Sequence, residues 1–468
     1  MSVTRREFLR FFGTFGVASL AFQRFGLLQA LAQTGDYKAL VCIFLFGGND
    51  AGNMIIPYDD YKIYASIRQG AGVAIPQSSL LPISVPSIGS QFALHPSLVE
   101  LQQLWGQGNL AAVCNVGPLI EPTSRDSYLN GTAHLPLNLF SHSDQQNQWQ
   151  TSISNGTGAS GWGGRTADQT AQLNSSSLPV MLSVTGTPIF VTGQTETALA
   201  LAAAPTALNA ALSLNGFPNP PDSDFRYHEM GDILQVDQNL TLVRGASRVT
   251  VDGLNAADTL RQTGNPSAPP FPLNPRTNLG NQLEQVAKLI GLRDSLGMRR
   301  QIFFCSLGGF DTHFNQVNNG NPTTGTQANL LAQVGGAMKA FYDATVALGV
   351  ASQVVTFTLS DFSRTFVPNG NLGTDHAWGS HHFVMGGAVR GGDFYGVAGS
   401  NGTVFPTLAP NGPDDTDQGG SARGRWIPTT SVDQFGATLV SWFGVRATDL
   451  AVVFPNIGRF DQANLGFV

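Results

Sequence analysis

Apolar residues fall into two kinds of run along the chain. Four are short and continuous: Ala39–Phe46, Leu110–Val116, Gln301–Leu307 and Gln353–Leu359. Runs of this length with no polar alternation are expected of strands buried on both faces in a mostly parallel sheet. Between them, apolar positions recur at helical spacing. His95-Pro96-Ser97 opens a helix carrying Leu98, Leu101, Leu104 and Trp105 and ending near Gly106. A longer one runs from about Gln327 to Leu348, with Leu331, Val334, Met338, Phe341 and Thr345 on one face and Gly349 as its terminator. Helix, short loop, then strand at Gln353 is the grammar of βαβ units. The pattern therefore predicts an α/β fold built on a doubly wound, mostly parallel sheet. Ser431–Val445 reads as a closing helix, with Val432, Phe435, Leu439, Trp442 and Phe443 inward.

The middle of the chain reads differently. Residues 175–275 are rich in Ala, Asn, Pro and Thr, and Pro218–Pro221 and Pro266–Pro275 break any periodicity. This predicts a cap or insertion on the sheet, within one α/β domain spanning residues 33–468. Residues 1–32 read as a targeting signal: Thr4-Arg5-Arg6-Glu7-Phe8-Leu9-Arg10, an apolar stretch from Phe11 to Leu28, then Ala30-Leu31-Ala32 as a cleavage pattern. Paired arginines followed by Phe-Leu match a twin-arginine export signal, which implies the twin-arginine machinery as a partner and a periplasmic or secreted destination.

Charge narrows the partners. The chain carries 25 Lys+Arg against 31 Asp+Glu, and charged residues are only 12 % of it. Only Lys38, Lys62, Lys288 and Lys339 are lysines, and no basic stripe appears, so a nucleic-acid partner is not expected. After signal removal no long uncharged apolar run remains, so no integral membrane segment is expected. The three cysteines, Cys42, Cys114 and Cys305, sit in or beside apolar runs and read as packing thiols.

The chemistry lies where the strands end. Ala39–Phe46 is followed by Gly47-Gly48-Asn49-Asp50, Gln301–Leu307 by Gly308-Gly309-Phe310-Asp311-Thr312-His313, and Gln353–Leu359 by Ser360-Asp361-Phe362-Ser363-Arg364. Ligands of an open α/β sheet sit beyond the carboxyl ends of its strands. Three carboxylates gathered there need a cation, because like charges repel or raise one another's pKa. His142, His313, His376, His381 and His382 lie in these or related loops, and Asp375-His376 follows Asp361 closely. Imidazole with carboxylate suits Zn, Mn or Fe better than an all-oxygen cage for Ca or Mg. An Asp after a strand is also an ordinary helix N-cap. Of His381 and His382, at most one is expected as a ligand, since neighbours on an extended segment point to opposite faces.

The twin-arginine start, Phe46–Asn53, Ser141-His142 with Trp149 downstream, Gly161-Trp162-Gly163-Gly164-Arg165, Gly308–His313, Ser360–Arg364 and Gly373-Thr374-Asp375-His376 occur in one order. In that order the chain resembles the bacterial exported family called domain of unknown function 1501, grouped with the alkaline phosphatase and sulfatase superfamily. The resemblance covers almost the whole mature chain, the middle least. It implies an alkaline-phosphatase-like core and two metals at the carboxyl edge of the sheet. Asp50, Asp311, His313, Asp361, Asp375 and His376 would be the ligands, with Phe362 a departure where better-known members place a His. It also implies a metal-activated Ser nucleophile, Ser141 with Ser143 as the alternative. Arg165 and Arg364 read either as forks orienting anionic oxygens or as structural salt bridges. The expected activity is hydrolysis of phosphate or sulfate esters, small or polysaccharide-linked. The alternative is a non-catalytic exported structural or glycan-binding protein of the same fold.

Overall fold

The computed structural model describes residues 37–176, 178–212, 225–263 and 269–468. The proposed export signal lies outside the described residues, as does Pro218–Pro221. All four apolar runs are strands to within a residue: Lys38–Leu45, Leu110–Gly117, Arg300–Leu307 and Val354–Ser360. They form the body of a nine-stranded sheet. Its order is Phe394–Tyr395, Leu110–Gly117, Ser380–Met385, Val354–Ser360, Lys38–Leu45, Arg300–Leu307, Met181–Ser183 and Leu199–Ala200, with Thr430–Ser431 also paired to Leu110–Gly117. Every pairing is parallel except the two made by Ser380–Met385.

The strands lack polar alternation because both faces are covered. Along Lys38–Leu45, Ala39, Val41, Ile43 and Leu45 belong to one buried cluster, and Leu40, Cys42 and Phe44 to another. The first cluster takes in Leu101 and Leu104 of the Val99–Gly106 helix, Leu283 and Val286 of Asn278–Gly291, and Leu331, Val334 and Met338 of Thr326–Ala347. The second takes in Trp162 of Trp162–Thr170 and Phe435 and Leu439 of Val432–Phe443. Helices on both faces make the sheet doubly wound. Burying each large aliphatic side chain contributes about 1.5–3 kcal/mol, and this fixes the strand ends relative to one another. The three cysteines are free and buried, as expected of packing thiols.

Two expectations need adjusting. Part of the stretch from 175 to 275 joins the sheet, because Met181–Ser183 pairs with Arg300–Leu307 and Leu199–Ala200 extends it. The helical excursion is therefore narrower and includes Phe225–Ile233 and Thr241–Gln262. The Ser380–Met385 strand also had no periodic signature: its Ser380-His381-His382 start is polar, yet all six residues are buried. Among the described residues, no helix is long and apolar enough to cross a membrane.

Candidate metal centre

Lys38–Leu45 runs parallel to both Arg300–Leu307 and Val354–Ser360, so the loops after all three meet at one edge. Gly47 and Gly48 have φ of +114° and +81°, where side chains are disfavoured. A Cβ on Gly47 would also come within 2.3 Å of the Asp311 amide nitrogen. The glycines let the first loop lie against the second. The Gly47 N–H donates to Asp361 Oδ1 (3.1 Å), and the Gly47 and Gly48 carbonyls accept from Arg364. Arg364 also donates to the Thr374 carbonyl and to Asp311 Oδ1 (2.5 Å), so one fully buried guanidinium ties four loop segments together.

Three imidazoles converge on Asp311. His142, at the first position of the His142–Thr151 helix, points its Nε2 at Asp311 Oδ1 from 3.6 Å. His313 Nε2 lies 3.2 Å from the same oxygen and His376 Nε2 3.9 Å from it. Each ring is turned by its other nitrogen. His142 Nδ1 lies 2.7 Å from Asp361 Oδ2, His313 Nδ1 lies 3.0 Å from Asp375 Oδ1, and His376 Nδ1 lies 2.7 Å from the Phe140 carbonyl. An acceptor at every Nδ1 places the proton there and leaves each Nε2 lone pair facing inward, the carboxylate–histidine arrangement that orients metal ligands. Phe362 packs against His142 and His376, with ring centroids 4.7 Å apart in both cases, and walls the cluster from the sheet side.

The inward face is short of protons. His142 Nε2 is buried with no hydrogen-bond partner, and His313 Nε2 lies 2.8 Å from His376 Nε2, two lone pairs in contact. A cation at this point would satisfy them. A shared proton would need an imidazolium; burial, with Arg364 beside it against the Phe140 carbonyl, pushes His376 down to about 4. A divalent transition metal fits instead. Bonds of about 2.1 Å in a tetrahedron give ligand separations of about 3.4 Å; the three Nε2 distances to Asp311 Oδ1 and the His313–His376 distance run from 2.8 to 3.9 Å around that value. His142, Asp311 and His376 can each offer an atom within 4.8 Å of the others. Burial pushes Asp311 up, but the Arg364 guanidinium outweighs it and keeps the carboxylate ionised. Its side chain is half exposed and the three histidines are 26–31 % exposed, so a bound ion would be reached from solvent.

The other expected ligands sit one step back. Asp361 is fully buried and orients His142, with Gln146 Nε2 also donating to its Oδ2 at 2.7 Å. Asp375 orients His313 and pairs with Arg423 at 2.8 Å. Asp50 is outside the cluster: Arg68 grips both of its oxygens, at 2.6 and 3.0 Å, in a pair with no exposure, and it caps the Ala51–Met54 helix through Gly52. Strand-end acids meet cations here, and two of the cations are arginines, Arg68 on Asp50 and Arg364 on Asp311. Ser141 stands at the N-cap of the His142 helix without capping it. Its hydroxyl donates to Asp144 Oδ2 at 2.5 Å and contacts Ser143 Oγ at 3.2 Å. Arg364 positions Asp311 and the loops: four of its five N–H groups go to Gly48, Gly47, Thr374 and Asp311, and the guanidinium is fully buried. His142, unassigned from sequence, joins the cluster; the available signal was Ser141-His142 opening a helix. His381 and His382 are both core residues, one accepting from the Asn115 amide and stacked on Phe405, the other edge-on to Trp149.

The family model described as "Protein of unknown function (DUF1501)" matches residues 37–405, and the chain belongs to that family. No curated protein matches the chain. Among solved structures it is similar to the PsFucS1 sulfatase from Pseudoalteromonas sp., with 10 % identity and a TM-score of 0.29. That match covers 79 % of this chain, which spans 66 % of the sulfatase's length.

Proposed function

We propose that this family member is an exported, metal-dependent hydrolase of phosphate or sulfate esters, with an alkaline-phosphatase-like core and one transition metal, Zn, Mn or Fe. The observation that carries the reading is the convergence of three oriented Nε2 lone pairs and an ionised Asp311 on one solvent-reachable point. His142, His313, His376 and Asp311 would hold the ion. The single-ion reading rests on Asp50, whose charge is already met by Arg68. Such an ion supplies Lewis-acid polarisation of an ester oxygen.

The chain's own residues supply the rest. Asp361, Asp375 and the Phe140 carbonyl hold the Nδ1 protons and aim the imidazoles. Arg364 holds Asp311 ionised. Arg425, whose Nε donates to the His376 carbonyl at 3.0 Å, and Arg423, on Asp375, bring positive charge to the edge of the cluster, which suits an anionic ester, small or polysaccharide-linked. Ser141 is the nucleophile in this reading. Asp144 is held below the usual carboxylate range, chiefly by the Ser141 hydroxyl, so it orients that hydroxyl and is a poor acceptor for its proton. The twin-arginine pattern supports export to the periplasm or beyond.

The bonds that Ser141 makes to Asp144 and Ser143 favour a second reading, a glycan-binding protein without turnover. The test is hydrolysis of p-nitrophenyl phosphate and p-nitrophenyl sulfate by the Zn-, Mn- or Fe-loaded protein. Turnover lost in His142→Ala and Asp311→Ala, and strongly reduced in Ser141→Ala, is expected. A folded, metal-loaded protein that cleaves neither ester would overturn the hydrolase and leave the binding reading.

A further inference from the structure

Behind the cluster lies a buried polar network whose centre is Gln316, a residue with no exposed surface. Its Nε2 donates to Asp50 Oδ2 at 2.6 Å and to Gln327 Oε1 at 2.9 Å. Its Oε1 accepts from Thr374 Oγ1 at 2.6 Å and from Thr312 Oγ1 at 3.2 Å. Thr312 lies between Asp311 and His313, and Thr374 is two residues before His376. One amide therefore joins the loop carrying two of the ligands to the loop carrying a third.

The backbone repeats the connection. The Gln316 N–H donates to the Leu372 carbonyl at 2.9 Å and the Thr374 N–H to the Thr312 carbonyl at 3.1 Å. The loops are so close that a Cβ on Gly373 would come within 2.3 Å of the His313 carbonyl oxygen. Both strands of this contact lack long regular structure, so side chains must hold their separation. The anchor is rigid: Asp50 is gripped by Arg68, which also donates to the Phe366 and Thr365 carbonyls at 2.9 and 3.1 Å. An amide is the group that serves, because it donates toward the Asp50 carboxylate and accepts from two hydroxyls at once; a carboxylate would repel Asp50, and an apolar chain would leave three buried polar groups unpaired.

We infer that Gln316 is a positioning residue for the metal centre: anchored on the Asp50–Arg68 pair, it sets the separation of His313 from His376 and so the geometry in which an ion is held. This rests on the metal reading above. It also gives Asp50 and Arg68 a part in the site without contact to the ion. The network touches no ligand side chain directly, so its effect is on geometry.

The test uses Co(II), whose visible absorption reports coordination geometry, added to the metal-free folded protein. Wild type is expected to bind one Co(II) with a tetrahedral-type spectrum. Gln316→Leu is expected to bind about tenfold or more weakly with a shifted spectrum, and Gln316→Glu to be weaker still. Should Gln316→Leu fail to fold, Thr374→Val, which removes one hydroxyl bond to Gln316 at nearly constant volume, is expected to show the same spectral shift to a smaller degree. Folded variants with Co(II) affinity within twofold of wild type and an unchanged spectrum would overturn the positioning role while leaving the metal centre standing. A wild type that takes up no Co(II) would overturn the metal reading itself.

Discussion

Asp361→Asn probes how the imidazoles are aimed. The Asp361 carboxylate is fully buried and accepts three hydrogen bonds: from the Gly47 N–H at 3.1 Å, and at its other oxygen from His142 Nδ1 and Gln146 Nε2, both at 2.7 Å. Asparagine keeps the shape but offers one acceptor oxygen and an NH2 group. If the amide oxygen stays on Gly47, the NH2 meets His142 Nδ1, reverses the tautomer and puts a proton on the Nε2 that must bind the ion. If it turns the other way, the Gly47 N–H is unpaired. A hydrogen bond to a charged group is worth about 1.5–3 kcal/mol, so the fold should lose roughly 2–3 kcal/mol. Loss of an outer-shell partner usually costs 10–100-fold in metal affinity, about 1.4–2.7 kcal/mol. The assay is Zn(II) affinity by competition with a chromophoric chelator, with thermal unfolding alongside and His142→Ala as the reference for loss of a direct ligand. Affinity within twofold of wild type in a folded Asp361→Asn protein would refute the orienting role. A loss as deep as that of His142→Ala would make Asp361 a direct ligand instead.

Three further outcomes follow from the same geometry. Asp50→Ala leaves the buried Arg68 guanidinium without its partner, so denaturant unfolding should register a loss of roughly 3–5 kcal/mol, far above the value of an exposed pair. Gly47→Ala forces a side chain to φ +114° and into the Asp311 amide, and should lower stability by at least about 2 kcal/mol in the same assay. Acid should unfold the protein readily: burial pushes His381 and His382 down to about 3 and His95 to about 4. Their contribution is present above the unfolded value of 6.5 and lost as pH falls toward the folded values, together roughly 8 kcal/mol by pH 4.5. Asp433, raised to about 7 by burial, acts in the opposite sense and returns roughly 3 kcal/mol over the same interval, so unfolding free energy measured from pH 7 to 4.5 should still fall.

The sheet was legible because Lys38–Leu45 and its neighbours are buried on both faces, which removes polar residues from the strand and leaves a signal that needs no partner. Ser380–Met385 was not legible, since His381 and His382 are made apolar in effect by neutral burial against Phe405 and Trp149, a property of neighbours far away in sequence. The convergence of Asp311 and His313 was legible because both follow the Arg300–Leu307 strand, and that of His376 because Asp375-His376 follows Asp361 closely. His142 needed the fold, which brings a helix from residue 142 over loops 170 and 230 residues later. Asp50 looked like a ligand from its place after the first strand, and only the packing of Arg68 against it identifies the cation it meets.

The most direct measurement is the metal content of the folded protein by elemental analysis, for wild type, His142→Ala with His376→Ala, and Asp50→Asn. One Zn, Mn or Fe per chain in wild type is predicted, absent from the double histidine variant and still one per chain in folded Asp50→Asn loaded with excess metal. No transition metal in wild type, or two with one lost in Asp50→Asn, would contradict a single centre built on His142, His313, His376 and Asp311.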